Sequence, residues 1–299
     1  MSEASWSRGP VTVYFGEKTG KYPDGNQVVV RGKDTFAIFD TPLVSRRLGA
    51  ELAAAELVIL GHAHEDHMAG LGMLPKAAVF APEADAQAVR SWDGLARHYG
   101  YSTGVLAEMQ VKVTKEFHYT PRPDAQAYGD GRVWDLGGVR VRAIHMPGHT
   151  GGHSVLLVEP DGIAFVGDID LSSFGPYYGD ACSSLADFRR SIARVADVPA
   201  SAWITSHHKG VMTERAQFLE LLKAFGGRIE AREQAILAAL RDGPRTLESL
   251  VAERFLYPKT HRELWVEDVE RITIGQHLAS LEQSGRATRE GGAYRATGR

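Results

Sequence analysis

The sequence predicts an α/β protein over residues 1–225, followed by a small domain of helices and a β-hairpin over residues 226–299. Three observations support this fold class. β-rich segments alternate with helical segments up to about residue 206. A loop dense in histidine and aspartate follows a short apolar run at residues 57–60. Apolar residues at helical spacing dominate after Gly226, where the character of the chain changes.

Length and composition describe an ordinary globular protein. The 299 residues are 43% hydrophobic and 24% charged, which suits one large domain and a smaller one. The net charge of −3 is too small to indicate nucleic acid or an anionic membrane as partner. The single cysteine, Cys182, cannot form an internal disulfide. With no signal-peptide pattern and no run of about 18 apolar residues, a cytoplasmic protein is expected.

The first strands are expected to form an antiparallel meander. β-rich runs at residues 11–16, 27–31 and 35–40 are separated by turns that contain glycine, aspartate or proline. Residues 42–56 carry alanine and leucine at helical spacing and predict a helix. The apolar run at residues 57–60 then predicts a short buried strand.

Four metal-ligand side chains follow that strand within six residues of the segment LVILGHAHEDH, namely His62, His64, Asp66 and His67. If the backbone stays extended after Gly61, His62 and His64 share a face, because side chains two residues apart point the same way. Asp66 is expected to cap a helix over residues 68–74, with His67 in its first turn. Imidazole and carboxylate together suit zinc, and also iron or manganese.

The next part of the chain mixes regular and irregular segments. Residues 77–81 predict a strand, and residues 82–99 predict one or two helices. Residues 99–130 show weak periodicity and combine several aromatic residues with two prolines. Long irregular segments within compact domains are often functional, so this stretch is expected either to have a functional role or to be a surface excursion.

A second group of strands is expected from residue 139 onward. Alternation over residues 139–145 predicts a strand that leads into the glycine-rich segment PGHTGGH, which contains His149. Residues 154–159 and 162–167 predict a hairpin around a Pro-Asp-Gly turn, and Asp168 follows directly in the segment GDID.

The loop after Asp168 and the next strand add further candidates. Three aromatic residues of this loop are candidates for the wall of a substrate pocket: Phe174, Tyr177 and Tyr178. Residues 183–196 predict a helix, and residues 202–206 predict a last buried strand that ends at His207 and His208. Packing in the hydrophobic core is the alternative role for the three aromatic side chains.

The C-terminal residues predict three helices and then a hairpin. The helices are expected at residues 228–240, 245–255 and 266–284, and the hairpin turns at Gly291-Gly292. This is the order of elements in a winged helix. From Arg228 onward there are 12 lysines and arginines against 11 aspartates and glutamates, a balance of +1. A domain that binds nucleic acid is expected to show a basic face, so this one is expected to pack on the α/β domain or on a second copy in a homodimer.

The motifs resemble those of the metallo-β-lactamase superfamily of metallohydrolases. HAHEDH fits its H-x-H-x-D-H signature, and PGHTGGH, GDID and the histidine after the last strand resemble its later motifs. The C-terminal order resembles the lactamase-β-like 2 branch, so the resemblance covers nearly the whole chain. It implies an αββα sandwich with a metal site at one edge. It also implies that Asp40 supports the metal loop without binding metal.

The resemblance implies a ligand set for two divalent cations. The first is expected to be bound by His62, His64 and His149. The second is expected to be bound by Asp66, His67 and His207, with Asp168 bridging the two cations. His208 stays open as the alternative to His207, or as a residue that faces the substrate. Zinc is the expected metal, with iron or manganese as alternatives.

Two such cations imply hydrolysis by a metal-activated hydroxide, with Asp66 as a candidate proton acceptor and Asp168 as the bridging carboxylate. The favoured substrate is a small acyl compound, that is, a thioester, an ester or a lactone. One alternative is a phosphodiesterase or endoribonuclease of the same fold. The other is a non-catalytic regulator that retains the fold, but a binding module has no need for seven ligands.

Overall fold

The computed structural model describes residues 5–298 and folds them into two packed β-sheets with helices on both outer faces, an αββα sandwich. The first sheet has seven strands that lie side by side in chain order, of which the first four are antiparallel and the last three parallel. These strands are β1 (Ser5–Arg8), β2 (Val11–Tyr14), β3 (Gln27–Arg31), β4 (Phe36–Phe39), β5 (Leu57–Ile59), β6 (Ala78–Pro82) and β7 (Gln126–Tyr128).

The second sheet has six strands in the order β13-β12-β11-β10-β9-β8. Only β11 and β12 pair in parallel, and the α-helix between them provides the crossover. The strands are β8 (Val133–Asp135), β9 (Arg140–His145), β10 (Ser154–Glu159), β11 (Ile163–Gly167), β12 (Ala202–Thr205) and β13 (Val211–Met212). The predicted hairpin is confirmed as β10 and β11.

The α-helices cover the outer faces of the sandwich and continue into the C-terminal region. They are α1 (Glu17–Gly20), α2 (Leu43–Leu48), α3 (Ala86–Arg90), α4 (Trp92–Tyr99), α5 (Thr103–Glu116), α6 (Leu185–Val195), α7 (Arg215–Arg241), α8 (Leu247–Glu253) and α9 (Val266–Gln283). None of the helices within residues 5–298 combines the length and the apolar character that a bilayer span requires.

Strand alternation divides the apolar residues between two cores. In β3, Val28 and Val30 face the core between the two sheets, whereas Val29 faces the helices outside. In β4, Phe39 faces inward and Ile38 outward in the same manner. Because side chains alternate across a strand, consecutive apolar residues can serve both layers of the sandwich.

The C-terminal region has its own small core, built from the second half of α7 together with α8 and α9. A three-stranded sheet completes it, with strands in the order β14 (Arg245–Thr246), β16 (Ala293–Ala296) and β15 (Ala287–Glu290). The order of helices and strands follows the sequence-based expectation, and Gly291 and Gly292 form the hairpin turn. The winged-helix class of this region stays a prediction.

The helix predicted over residues 68–74 is wrong. The chain instead forms two short 3-10 turns, Glu65–His67 and Leu71–Met73, because glycines at 70 and 72 and a proline at 75 disfavour a longer helix. Asp66 is not the cap either. Its carboxylate lies 3.1 Å from Nε2 of His207 and is therefore engaged elsewhere.

The helix predicted over residues 42–56 is shorter than expected, because α2 ends at Leu48 before Gly49.

The prediction that residues 99–130 are irregular is also wrong, because they contain α5, a helix of 14 residues. Met109 and Val113 lie four residues apart and are the buried face of this helix. Aromatic residues on either side of α5, and two prolines after it, obscured that spacing in the sequence. The short strands β7 and β8 were not predicted.

The helix predicted over residues 228–240 is the second half of α7, which begins at Arg215 and crosses Gly226 and Gly227 without interruption. A glycine costs a helix about 1 kcal/mol relative to alanine. Burial of Phe218, Leu222 and Phe225 along the same helix more than offsets that cost. A division of the chain into domains at residue 226 therefore stays a prediction, with one continuous helix across it.

Candidate metal centre

All seven predicted ligands meet at one edge of the sandwich, where several strands end. The loop after β5 carries four of them, the loop after β9 carries His149, Asp168 follows β11, and His207 follows β12. Ligand atoms of His62, His64 and His149 lie within 4.8 Å of one another, and so do those of Asp66, His67 and His207. The structure thus brings together residues that are more than 140 positions apart in the sequence.

The first cluster consists of three imidazoles. Nε2 of His149 lies 3.2 Å from Nε2 of His62 and 3.0 Å from Nδ1 of His64. Zn–N bonds of about 2.0–2.1 Å in a tetrahedral site place neighbouring nitrogens about 3.3 Å apart. The observed spacing is close to that value.

The second cluster combines two imidazoles and a carboxylate. Nε2 of His207 lies 3.3 Å from Nε2 of His67 and 3.1 Å from Oδ2 of Asp66. His67 Nε2 is 3.7 Å from the same carboxylate oxygen. His207, and not His208, is therefore the histidine of this strand end that joins the cluster.

Asp168 lies between the two clusters. Its Oδ1 is 3.2 Å from Nε2 of His67, and its Oδ2 is 3.4 Å from Nε2 of His149. Each oxygen of one carboxylate thus faces a different group of histidines. Oδ1 of Asp168 is buried and has no hydrogen-bond partner among the residues that the structure describes. An unpaired buried carboxylate oxygen is costly unless a proton or a cation compensates it.

The outer ring nitrogens of four cluster histidines have acceptors. His67 Nδ1 donates to Oδ2 of Asp40 at 2.7 Å, and His64 Nε2 donates to Oδ2 of Asp180 at 2.8 Å. Two backbone carbonyls accept in the same way: that of Tyr177 from His149 Nδ1 at 3.0 Å, and that of Gly20 from His207 Nδ1 at 2.8 Å. When such a ring is neutral, an acceptor at its outer nitrogen holds the proton there and leaves the lone pair of the inner nitrogen for a metal.

These donors fit a pair of divalent cations. The inner nitrogens and carboxylate oxygens converge on one another, and acceptors at the outer nitrogens orient four of the five rings, all but that of His62. Three imidazoles, a carboxylate between the clusters and a His-His-Asp group form the kind of mixed nitrogen and oxygen donor set that zinc, iron and manganese accept.

Burial and charge set the protonation of the cluster. Burial lowers the pKa of His62 well below its ordinary value and the pKa of His149 to about 3. Both rings are therefore neutral, as a metal ligand must be. Burial also lowers the pKa of His207, but Asp168 and Asp66 outweigh that effect and raise it to about 9. The field of these carboxylates thus favours positive charge in the second cluster.

Backbone contacts hold the ligand loops in place. Asp40 accepts a hydrogen bond from the backbone N–H of Gly61 at 2.7 Å, which fixes the start of the HAHEDH loop. Nε2 of His153 accepts a hydrogen bond from the backbone N–H of Asp168 at 3.1 Å. His153 is thus a support for Asp168 and belongs to neither of the two ligand clusters. At Gly148, with φ of +134°, a Cβ atom would lie 2.3 Å from the backbone of Phe188. Only glycine fits there, directly before His149.

A cavity of about 980 Å³ opens over the two clusters. Three of the four predicted pocket residues line it: Phe174, Tyr177 and His208. The fourth, Tyr178, does not, and its prediction as a pocket wall is wrong. Its side chain is fully buried in the core beneath α6 and α7, and its hydroxyl lies 2.9 Å from Nε2 of His277. Adjacent residues of an extended segment point to opposite sides, so Tyr177 and Tyr178 diverge.

Sequence reasoning missed two carboxylates at the site. Asp180 accepts from His64 and from the hydroxyls of Tyr101 and Tyr177. Glu65 accepts from Tyr22 at 3.1 Å and from Tyr99 at 2.5 Å. Glu65 stands within HAHEDH and carried a signal, whereas Asp180 lies in a loop without a recognisable pattern.

A model of the metallo-beta-lactamase superfamily matches residues 23–224 of this chain. The chain is 27% identical over 160 residues to an atrochrysone carboxyl ACP thioesterase from Pseudocercospora fijiensis, and the match covers 52% of this chain and 44% of that enzyme. It is 25% identical over 262 residues to a beta-lactamase-like protein 2 homolog from Drosophila melanogaster, with 83% of this chain and 76% of the relative covered. A hydroxyacylglutathione hydrolase from Methylococcus capsulatus is 26% identical over 200 residues, with 61% and 76% covered.

Solved structures show the same fold. A metallo-beta-lactamase family protein from Thermus thermophilus superposes with a TM-score of 0.68 at 25% identity, over 91% of this chain and 94% of that one. A beta-lactamase domain protein from Burkholderia ambifaria gives a TM-score of 0.71 at 16% identity, over 99% and 95%. Both matches extend over the C-terminal region as well as the sandwich.

Proposed function

The chain belongs to the metallo-beta-lactamase superfamily, and on that premise we propose that it hydrolyses a small acyl compound, namely a thioester, an ester or a lactone. The single observation that carries the proposal is the position of Asp168, whose two oxygens face the two histidine clusters. The fold and the clusters support divalent metal ions as cofactors. Zinc is the metal we propose, because neutral imidazole nitrogens dominate the donor set.

We assign each cation its own group of residues. The proposed ligands of the first are His62, His64 and His149, and those of the second are Asp66, His67 and His207, with Asp168 shared. Bound there, the two ions would lower the pKa of a water molecule toward about 7 and polarise the carbonyl oxygen of the substrate.

The residues of the chain supply position and charge around that chemistry. The carboxylate of Asp66 lines the cavity and is the proposed proton acceptor. Asp168 holds negative charge between the clusters, and Asp40 and Asp180 keep His67 and His64 in the required orientation. The hydroxyls of Tyr22 and Tyr99 hold the carboxylate of Glu65 in the cavity wall, which fixes the backbone between His64 and Asp66.

Two observations favour an acyl substrate over a phosphodiester. The relatives include a thioesterase and a hydroxyacylglutathione hydrolase, and both names describe cleavage of an acyl group from its carrier. The C-terminal residues carry a balance of only +1, and two of their arginines are engaged within the protein: Arg286 with Glu233, and Arg271 with Glu248. Nucleic acid is therefore not the proposed partner. The cytoplasmic location and a homodimer stay predictions.

A side-by-side activity screen tests this function. The zinc-loaded protein is offered acyl thioesters, aryl esters, lactones and a phosphodiester at equal concentration. We expect turnover of at least one acyl class and little of the phosphodiester. Asp168→Asn should remove this activity while circular dichroism stays unchanged, and Asp197→Asn, an exposed carboxylate on the second sheet's side, should retain it. Preferred hydrolysis of the phosphodiester would support the nuclease alternative and contradict the proposal.

A further inference from the structure

One wall of the cavity over the clusters comes from the C-terminal region. Four residues between α8 and α9 line the cavity: Tyr257, His261, Glu263 and Trp265. They belong to the connection over residues 254–265, which we call the α8–α9 segment. The sandwich alone would therefore leave this side of the cavity open.

A buried carboxylate fixes the start of the α8–α9 segment. Glu270, on α9, is completely buried and accepts hydrogen bonds from the backbone N–H groups of Phe255 at 3.0 Å, Leu256 at 3.0 Å and Tyr257 at 2.8 Å. Three amide donors on one carboxylate form strong, charge-assisted bonds. They hold the backbone from which Tyr257 projects.

The rest of the segment is anchored to α5. Lys112 lies 2.9 Å from Glu116 and 3.7 Å from Glu263, and its Nζ is 5.5 Å from the ring centre of Trp265. Trp265 itself belongs to the same apolar core as Met109 and Val113 of α5. The segment is thus a fixed part of the wall and is held at both ends.

This wall presents aromatic rings, and the lysine beside it is paired. The ring of Tyr257 lies 5.3 Å from that of Phe174 and stacks on His261 at 4.8 Å with an angle of 5°. Lys112 is matched by two carboxylates. Flat aromatic faces with balanced charge favour a large apolar group over an anionic or small polar one.

We infer that the α8–α9 segment is the acyl-selecting wall, with Tyr257 and Trp265 as specificity-determining residues and Glu270 as the residue that positions them. The inference rests on the proposed function and narrows it to thioesters and esters with large apolar or aromatic acyl groups. The wall excludes water around such a group and leaves its carbonyl next to the two clusters. Small polar acyl groups gain nothing from it.

Binding of product acids tests the wall separately from turnover. The affinities of 2-naphthoate, acetate and lactate for the zinc-loaded protein are measured by titration calorimetry. All three share the carboxylate, so a difference between them reports on the rest of the molecule. Because burial of the naphthyl group adds favourable binding free energy that acetate cannot gain, we expect 2-naphthoate to bind at least about tenfold more tightly than acetate.

Variants assign that preference to the segment. Trp265→Ala and Tyr257→Ala should each lower the affinity for 2-naphthoate by about fivefold or more and leave the affinity for acetate unchanged. Glu270→Gln should lower the affinity for 2-naphthoate and not that for acetate, because this variant loses the charge-assisted hydrogen bonds to the backbone of the α8–α9 segment. Tyr294→Leu, which changes an aromatic residue of β16 away from the cavity, is the matched control and should bind all three acids as the wild type does. If Glu270→Gln lowers the melting temperature sharply, the two wall variants decide alone.

Equal affinity for the three acids, or parallel losses for acetate and 2-naphthoate in the wall variants, would overturn the inference. The proposed function can fail separately. A protein that prefers 2-naphthoate but hydrolyses no acyl compound supports the wall and contradicts the function. A protein that hydrolyses acetyl and naphthoyl thioesters with equal kcat/KM supports the function and contradicts the wall.

Discussion

Nε2 of His64 lies 2.8 Å from Oδ2 of Asp180, although 116 residues separate the two in the chain. Two tyrosine hydroxyls also donate to Asp180, so the carboxylate is held from three directions. Burial lowers the pKa of His64, but this carboxylate outweighs the effect and raises it to about 9. His64 thus depends on Asp180 for both its orientation and the proton on its outer nitrogen.

Asp180→Asn should weaken metal binding at the first cluster. The amide can still accept from His64 but has lost the negative charge that orients the ring and increases its basicity. Loss of such a partner typically costs about 10- to 100-fold in metal affinity. Competition with a chromophoric zinc chelator measures it. Asp197→Asn, at an exposed position, should bind zinc as the wild type does, and an unchanged affinity in Asp180→Asn would refute the role given to Asp180.

Lys209→Ala should weaken turnover of substrates with an anionic carrier. Lys21 and Lys209 line the cavity, are exposed, and have no carboxylate within ion-pairing distance in the described part of the chain. Each exposed charge is worth up to about 1 kcal/mol, so kcat/KM for a coenzyme A thioester should fall by about three- to fivefold. The neutral N-acetylcysteamine thioester of the same acyl group should be unaffected.

High salt should remove that difference between wild type and Lys209→Ala, because ions screen exposed charges. Lys223→Ala removes an exposed lysine of α7 that does not line the cavity, and it serves as the control. Equal losses for the charged and the neutral thioester would argue against a carrier-binding role for Lys209.

Glu233→Gln should destabilise the contact between α6, α7 and the C-terminal hairpin. Oε1 of Glu233 lies 2.5 Å from Nη1 of Arg286, and Oε2 lies 2.7 Å from Nη2 of Arg189 and 3.5 Å from Nδ1 of His277. Removal of one partner from a buried ionic group costs about 3 kcal/mol of unfolding free energy. Denaturant titration at pH 7 measures it. Glu230→Gln on the same helix, at an exposed position, should change the free energy by less than about 0.5 kcal/mol.

The effect of Glu233→Gln should depend on pH. His277 first, and then Arg189 and Arg286, hold the pKa of Glu233 well below its usual range, against the opposing effect of burial. A depressed pKa in the folded state gives stabilisation above the unfolded value of about 4.3, and that stabilisation is lost as pH falls below it. The difference between wild type and Glu233→Gln should therefore shrink between about pH 6 and about pH 3.5. An equal difference at both values would contradict this account.

Four of the seven ligands stand out by their local spacing, whereas His149, Asp168 and His207 were predicted from the resemblance of their motifs to those of the superfamily. Four ligands lie within the six residues of HAHEDH itself. His149 stands in a glycine-rich turn, and the conformation of that turn excludes a side chain at Gly148. The ends of strands were also predictable from adjacent residues, because an apolar run followed by glycine or a metal ligand marks where a strand leaves the sheet.

Other supports and walls of the site were not predictable, because they depend on contacts between distant segments. Asp180 reaches His64 from a loop without periodicity, and Glu270 reaches the backbone of Tyr257 from another helix. Tyr178 looked equivalent to Tyr177 in the sequence. The course of the backbone turns the side chain of Tyr178 into the core and that of Tyr177 towards the cavity, and the sequence does not show this difference.

Metal content measures the central claim most directly. Protein purified without chelator and analysed by plasma mass spectrometry should contain about two equivalents of zinc, iron or manganese per chain. Asp168→Asn should contain less, because the carboxylate between the two clusters has lost its charge. A wild-type protein that is folded, has been offered these metals and still holds well below one equivalent would contradict the assignment of this edge of the sandwich as a two-metal site.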